Sequence, residues 1–372
     1  MITKIEIKNI NAIKRAEIKF DKFKYKYHQE MIMNNEFVNP IAFYGTNGSG
    51  KSSFLTAVSQ FVDLLTDEPD SLSIFTPNYS NIEEDSTTSI EPLDEKSYVK
   101  IYFRLVKVDY SYKIETSIKN VITSEVLIKD KKEIFSRSVK QYKYNGETLK
   151  VDSPMFPLLR KLEIEKNDEV VRKCFSFLSN IAFIDASKRY FNFKASKQKG
   201  YKDIIVDRSK EVKSILAKYK EFPLYDVFSL PSKMGKQKDY YIAIKTDGGN
   251  LVLPFDLAST GMTNTSMLLS TLLSIPDNGV LLVDEIEDAL HPLTVLDFIN
   301  VAIEKNIQLI FSSHNTYILQ KLRPDQIFFA HWRNGSSKYK RLSEIYPNIR
   351  EINNIEKMYL SNLFDEDIKK DE

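Results

Sequence analysis

The run Gly45-Thr46-Asn47-Gly48-Ser49-Gly50-Lys51-Ser52 sets glycines at its first and sixth positions, ahead of a lysine and a hydroxyl. Glycines at that spacing let successive backbone N–H groups turn toward anionic oxygens. Lys51 then adds a point charge for the β and γ phosphates of a nucleotide, and Ser52 offers a hydroxyl to magnesium. With eleven glycines in the chain, a chance match to this pattern is roughly one in a few hundred. ATP with Mg2+ is the expected ligand, held by Gly45, Thr46, Asn47, Gly48, Ser49, Gly50, Lys51, Ser52 and the adjoining Ser53.

Three further constellations follow. Gly279 to Glu285 is an apolar strand that stops at two acids. At the carboxyl edge of a sheet, Asp284 would hold magnesium with Ser52, and Glu285 would polarise a water for attack on the γ phosphate. Strands also end in acids for purely structural reasons. Leu309 to His314 is a second apolar strand, delivering His314 to the same edge as a donor to the γ phosphate or a brace for the water. A lone histidine is more often structural, but its order after the acids favours the chemical reading. Ala258-Ser259-Thr260-Gly261 opens a helix, with Ser259 as its cap.

The elements that must position these residues are legible in outline. Ile2 to Phe20 alternates as two antiparallel strands, Pro40 to Tyr44 leads into the glycine loop, and Phe54, Leu55, Val58, Phe61, Val62 and Leu65 repeat at helical spacing after it. Residues 67–95 hold nine Asp or Glu and no Lys or Arg, a solvated loop. Tyr98 to Ile128 alternates as antiparallel hairpins, residues 153–182 read as mainly helical, and strands are expected at Tyr240 to Ile244 and Leu251 to Phe255. From Met267 to Ala330 helices and strands alternate, which argues for a largely parallel, helix-covered sheet.

Basic and acidic residues nearly cancel, 53 against 51, so nucleic-acid binding would have to come from a local patch. Residues 187–220 hold eleven Lys or Arg against three acids, with Tyr190, Phe191, Phe193 and Tyr201 interleaved. That segment reads equally as a nucleic-acid site, a protein-partner site or a solvated face. Asp203, Asp207 and Glu211 are too sparse for a nuclease metal site. The single cysteine, Cys174, excludes an internal disulfide and fits a reducing cytoplasm, and no apolar run reaches membrane-spanning length.

In this order, the phosphate loop, helix cap, acid pair and histidine resemble an ABC-type ATPase head of the structural-maintenance and recombination-repair branch. The resemblance implies that Ser259, Thr260 and Gly261 form a signature that contacts ATP held by a second protomer, so the chain would act as a homodimer or higher oligomer. Asp284 to Pro292, Arg323 to Phe329 and Glu356 to Leu360 narrow this to the bacterial ATPases of abortive-infection and restriction-linked loci, of the AbiL and RloA type, and to the PARIS ATPase subunit. That narrower resemblance implies a phage-defence switch, a separately encoded effector nuclease or toxin, and a phage-encoded trigger. A repair ATPase and an ATP-dependent scaffold with little turnover stay open beside it.

The expected fold is therefore an α/β ABC-type head from residues 1–66 and 240–363. Residues 67–150 supply an acidic loop and β-rich lobe, 151–239 a helical and basic insertion, and 364–372 a solvated tail.

Overall fold

A computed structural model of the chain describes residues 1–34, 36–67, 75–76, 96–119, 121–192, 200–219, 224–232, 238–246, 248–288, 290–351 and 353–361. The solvated tail lies outside these residues, as does most of the acidic loop. Of that loop Phe75 is described, and it is buried in the core, while Thr76 accepts a backbone hydrogen bond from Asn11 at 2.7 Å.

A seven-stranded sheet organises the head, in the order Tyr190–Asn192, Ala182–Asp185, Val280–Asp284, Gln308–Ser312, Ile41–Tyr44, Ile327–Arg333 and Ser336–Arg341. The two outermost strands pair antiparallel; the junctions between are parallel. Strands buried on both faces must be apolar at successive residues, and Val280–Asp284 and Ile41–Tyr44 are buried at every position. Alternate side chains serve different cores: Ile41 and Phe43 pack with helix Lys51–Thr66, while Ala42 and Tyr44 face helices Thr260–Ser274 and Pro292–Glu304.

Helix Lys51–Thr66 is held between this sheet and a second one. That second sheet is antiparallel and eight-stranded, with Ile2–Ile10 and Ile13–Lys19 at one end and the strands from Ser97 to Lys150 completing it. The N-terminal hairpin thus belongs to the same sheet as the β-rich lobe. Phe54, Phe61 and Leu65 of the helix are fully buried here, each contributing about 1.5–3 kcal/mol relative to exposure. Glu125, also fully buried, pins helix Leu158–Lys166 to the lobe by accepting the N–H groups of Leu158 and Leu159, both at 2.7 Å, and the Tyr112 hydroxyl at 2.8 Å.

Two features depart from the sequence reading. Ala182–Asp185, inside the segment expected to be a helical insertion, is a strand of the central sheet. Its four residues are too few to show a period. The strands Lys238–Thr246 and Gly249–Pro254 lie in neither large sheet but pair with Tyr225–Pro231 in a separate three-stranded one.

The Arg323-Pro324-Asp325-Gln326 run is structural. Arg323 and Asp325, both fully buried, form a bidentate pair at 2.9 and 2.8 Å, Gln326 donates to the Pro40 carbonyl, and Asp325 accepts the N–H of Phe23. Buried charges persist only with such pairing.

Candidate active site

Close packing forces both ends of the glycine loop. Gly45, at φ 146°, leaves its strand so near Ile327–Arg333 that a Cβ would stand 2.2 Å from the Ala330 carbonyl oxygen. Gly50, at φ 102°, would place a Cβ 1.9 Å from Ser337 Oγ. No other residue satisfies both demands. Tyr339 donates to the Gly50 carbonyl at 2.7 Å, fixing the loop's exit against the last strand of the sheet.

Lys51 opens the following helix and is buried, its ammonium folded back to donate to the carbonyls of Gly45 at 2.9 Å and Thr46 at 3.2 Å. Burial pulls its pKa down, opposed by Asp284, Glu285 and Glu287. Ser49 Oγ is buried in the same loop with no partner among the described residues, whereas Thr46, Asn47 and Gly48 are exposed.

Ser52 reaches across the sheet edge and donates to Asp284 Oδ1 at 3.1 Å. Asp284 ends strand Val280–Asp284 and is buried; Ser312, closing the neighbouring strand, donates to the same oxygen. Burial raises the Asp284 pKa, the two hydroxyls oppose that, and the charges of Asp185 and Glu285 add to it. The chain then turns abruptly. Glu285 has φ 52°, a left-handed value that a non-glycine residue holds at a cost of about 1 kcal/mol or more, and its N–H is secured by Ser312 Oγ at 2.9 Å. His314 is exposed just beyond, its backbone N–H donated to Glu287. The other oxygen of Glu287 is buried without a partner among the described residues.

Ser259 caps helix Thr260–Ser274, accepting the Met262 N–H at 3.4 Å. Ser259 and Thr260 are exposed. Within one chain this helix start is tied to the acid edge at two points. Arg189 donates to Thr260 Oγ1 at 3.1 Å, and Asn264 donates to the Asp288 carbonyl at 3.0 Å.

Sequence reasoning missed Asp185. It stands in register beside Asp284 on the parallel neighbour, and the chain continues from it with Ala186 donating to the Asp284 carbonyl at 3.1 Å. Lys188 closes the loop, its ammonium 2.6 Å from Asp185 Oδ2. The signal was there: Ala182-Phe183-Ile184-Asp185 is another apolar strand that stops at an acid.

The hydroxyl of Ser52 and the carboxylate of Asp284 form a hard-oxygen donor set suited to magnesium. The buried Lys51 ammonium, bonded only to carbonyls, and the unpartnered Ser49 hydroxyl fit the anionic nucleotide.

A protein-family model described as "AAA domain, putative AbiEii toxin, Type IV TA system" matches residues 41–320. The chain belongs to this AAA-domain family. A comparison with curated proteins returned no match. Among solved structures, an SMC head bound to the C-winged helix domain of ScpA aligns with 15% identity and a TM-score of 0.51, covering 92% of this chain and 99% of that one. The SMC head domain from Thermotoga maritima aligns at 14% identity over 91% and 98% of the two chains, TM-score 0.46. A third SMC head, from a structure with ScpA derived from Pyrococcus furiosus, aligns at 16% over 92% and 97%, TM-score 0.44. The chain is thus an AbiEii-type AAA-domain protein with the head fold of the first of these. Among the described residues no helix is long and apolar enough to cross a membrane.

Proposed function

We propose that this AAA-domain protein hydrolyses ATP and uses the cycle as a switch that holds or releases a separately encoded effector nuclease or toxin in phage defence. The observation that carries the ATPase reading is the Ser52–Asp284 hydrogen bond, 3.1 Å long between residues 232 apart in sequence. It joins the phosphate loop to the acid strand at one sheet edge. Lys51 and the loop N–H groups bind the β and γ phosphates, while Ser52 and Asp284 hold magnesium. When bound, magnesium offsets negative charge on the phosphate oxygens. Glu285 takes the proton of a water whose oxygen attacks the γ phosphorus as the bond to the β-phosphate oxygen breaks, and His314 donates to the γ phosphate. The left-handed turn at Glu285 takes the chain off the strand immediately after Asp284.

Ser259, Thr260 and Gly261 complete the site of a second copy, so ATP closes a dimer of heads and its hydrolysis releases them. The exposure of Ser259 and Thr260 supports this. A place in a toxin system fits the family's description, which names a putative toxin and a type IV system; the separate effector and the phage-encoded trigger are part of the proposal. A separate protein bound to a head of this fold supports a protein partner for this one, without bearing on its chemistry.

Cross-linking tests closure. Ser49 is buried, so the partner cysteine goes at exposed Asn47, with Ser259→Cys, in a Cys174→Ser and Glu285→Gln background. ATP should raise the Asn47→Cys to Ser259→Cys cross-link between copies. If ATP leaves it unchanged, Ser259 is a helix cap and no more. Co-expression with the neighbouring gene product should yield a stable complex, and a nuclease activity of this chain alone would remove the effector from the scheme.

A further inference from the structure

A polyanion site needs cations that are not already paired. The basic run at 187–220 spends five of its seven described charges on acidic neighbours. Lys188 pairs with Asp185, Lys202 with Asp256, Arg208 with Glu211, Lys213 with Asp226 and Lys218 with Glu304. A second run does not. Between Asp21 and His28 the chain reads Lys22, Phe23, Lys24, Tyr25, Lys26, Tyr27, and burial alternates with it: the lysines are exposed, the aromatics half-buried. Among the described residues none of these three ammonium groups has an ion-pair partner.

The aromatics are set in a row, with ring centroids 6.5 Å apart from Phe23 to Tyr25 and 5.6 Å from Tyr25 to Tyr27. Buried Arg341 and Arg323 lie over Phe23 and Tyr25 at 5.2 and 5.8 Å. The backbone is held as firmly: Asp325 accepts the Phe23 N–H at 2.7 Å, and Arg323 donates to the Tyr27 carbonyl at 2.7 Å. The segment is therefore fixed without belonging to a regular strand, with its lysines turned outward.

Beside it opens a cavity of about 870 Å³, with Lys22 to Tyr25 on one wall and Pro347 to Arg350 on the other. Tyr25 bridges the walls by donating to the Pro347 carbonyl at 3.4 Å. The acid among the lining residues, Asp21, is engaged with Arg341 at 3.3 Å. Glu344 and Glu351 lie near enough to be felt by Arg341 and Tyr27, outside the lining. Exposed Arg350 supplies a further cation opposite the lysines.

We propose that this groove binds single-stranded nucleic acid, with phosphates on Lys22, Lys24, Lys26 and Arg350 and bases against Phe23 and Tyr25. Cations interleaved with aromatic faces match the two components of such a strand, a charged backbone and flat bases. An acidic peptide would use the cations and leave the aromatic wall idle.

Fluorescence anisotropy of labelled oligo-dT and oligo-U, without ATP, tests this independently of the ATPase reading. The wild-type chain should bind, more weakly as salt rises from about 50 to about 200 mM. Neutralising Lys22, Lys24 and Lys26 together with glutamine should weaken binding about tenfold or more and reduce the salt slope by about 2, each phosphate left without its cation accounting for about 0.7. Neutralising Lys202, Lys213 and Lys218 should leave both unchanged. Tyr25→Leu should weaken binding with the salt slope intact. The proposal is overturned by absence of wild-type binding at low salt, by unchanged binding in the Lys22/Lys24/Lys26 variant, or by polyglutamate displacing the oligonucleotide at equal charge concentration.

Discussion

Two buried carboxylates, Glu125 in the antiparallel lobe and Asp284 at the edge of the central sheet, are pushed in the same direction by burial and used in opposite ways. Both have raised pKa values with desolvation as the leading cause. Glu125 is enclosed by donors, two helix N–H groups, a tyrosine hydroxyl and the Arg137 guanidinium at 3.5 Å. Among the described residues Asp284 receives two serine hydroxyls; Lys51 and Lys188 attract it at longer range, but its acid neighbours Asp185 and Glu285 repel it. One is a satisfied structural pin. The other, on the proposed mechanism, is a carboxylate kept for a cation.

The comparison breaks most visibly at the acid edge. On the proposed mechanism Glu285→Gln should lower turnover by about 10²- to 10⁴-fold while retaining ATP binding, read by phosphate release and nucleotide titration. Undiminished turnover in a folded variant would remove the proton acceptor from the scheme. In the lobe, Glu125→Ala leaves two helix N–H groups and the Tyr112 hydroxyl buried without their acceptor and removes the counter-charge of buried Arg137, which keeps its bonds to the Phe156 and Ser153 carbonyls. Denaturant unfolding should then show a loss of about 3–5 kcal/mol. A loss under about 1 kcal/mol would mean that water or relaxation satisfies those donors.

Asp284→Asn should do the reverse of Glu125→Ala. Because the folded state holds the Asp284 proton more tightly than the unfolded chain, its favourable contribution is full below the unfolded pKa and is lost as pH rises through the raised folded one. Asparagine removes that loss, so the nucleotide-free variant should be more stable at neutral pH, with a flatter pH dependence above about pH 4. It should also lose its magnesium response. A less stable variant would show that the two hydroxyls outweigh burial and repulsion.

What could be read from the sequence was whatever chemistry forces into one contiguous run. The glycine loop must be local because backbone N–H groups cradle one ligand. The Asp284–Glu285 pair announces itself because an apolar strand ends on it. Asp185 has the same pattern but only four residues of strand, set in a segment whose charge count drew attention elsewhere. Pairing was invisible for a different reason: Lys202 and Lys218 are neutralised by Asp256 and Glu304, 54 and 86 residues away. The lysines at 22, 24 and 26 are fewer but unspent. Glu125 looks like any charge in an alternating strand until the helix that caps it is in place, and the three-stranded sheet borrows Tyr225–Pro231 from outside the range read as head.

The smallest expected effect concerns the loop that joins the acids to the helix start. Lys188 is largely exposed, so its 2.6 Å contact with Asp185 contributes little to stability, about 0–1 kcal/mol after screening. Its pKa is raised, chiefly by Asp185, with Asp284 and Glu285 contributing at longer range. Lys188 therefore offsets negative charge at the edge where the proposed magnesium site lies. Lys188→Gln should leave thermal stability within about 0.5 kcal/mol of wild type, yet make the edge more attractive to a divalent cation. Half-saturating magnesium for ATP turnover should fall about two- to threefold, an effect that shrinks as salt screens it. Lys188→Arg keeps the charge and should restore the wild-type response. A structural role for the loop would move stability and leave the magnesium titration where it was. If Lys188→Gln does that, Asp185 and Lys188 belong with Glu125 among the satisfied pins, and Asp284 alone is kept for a cation.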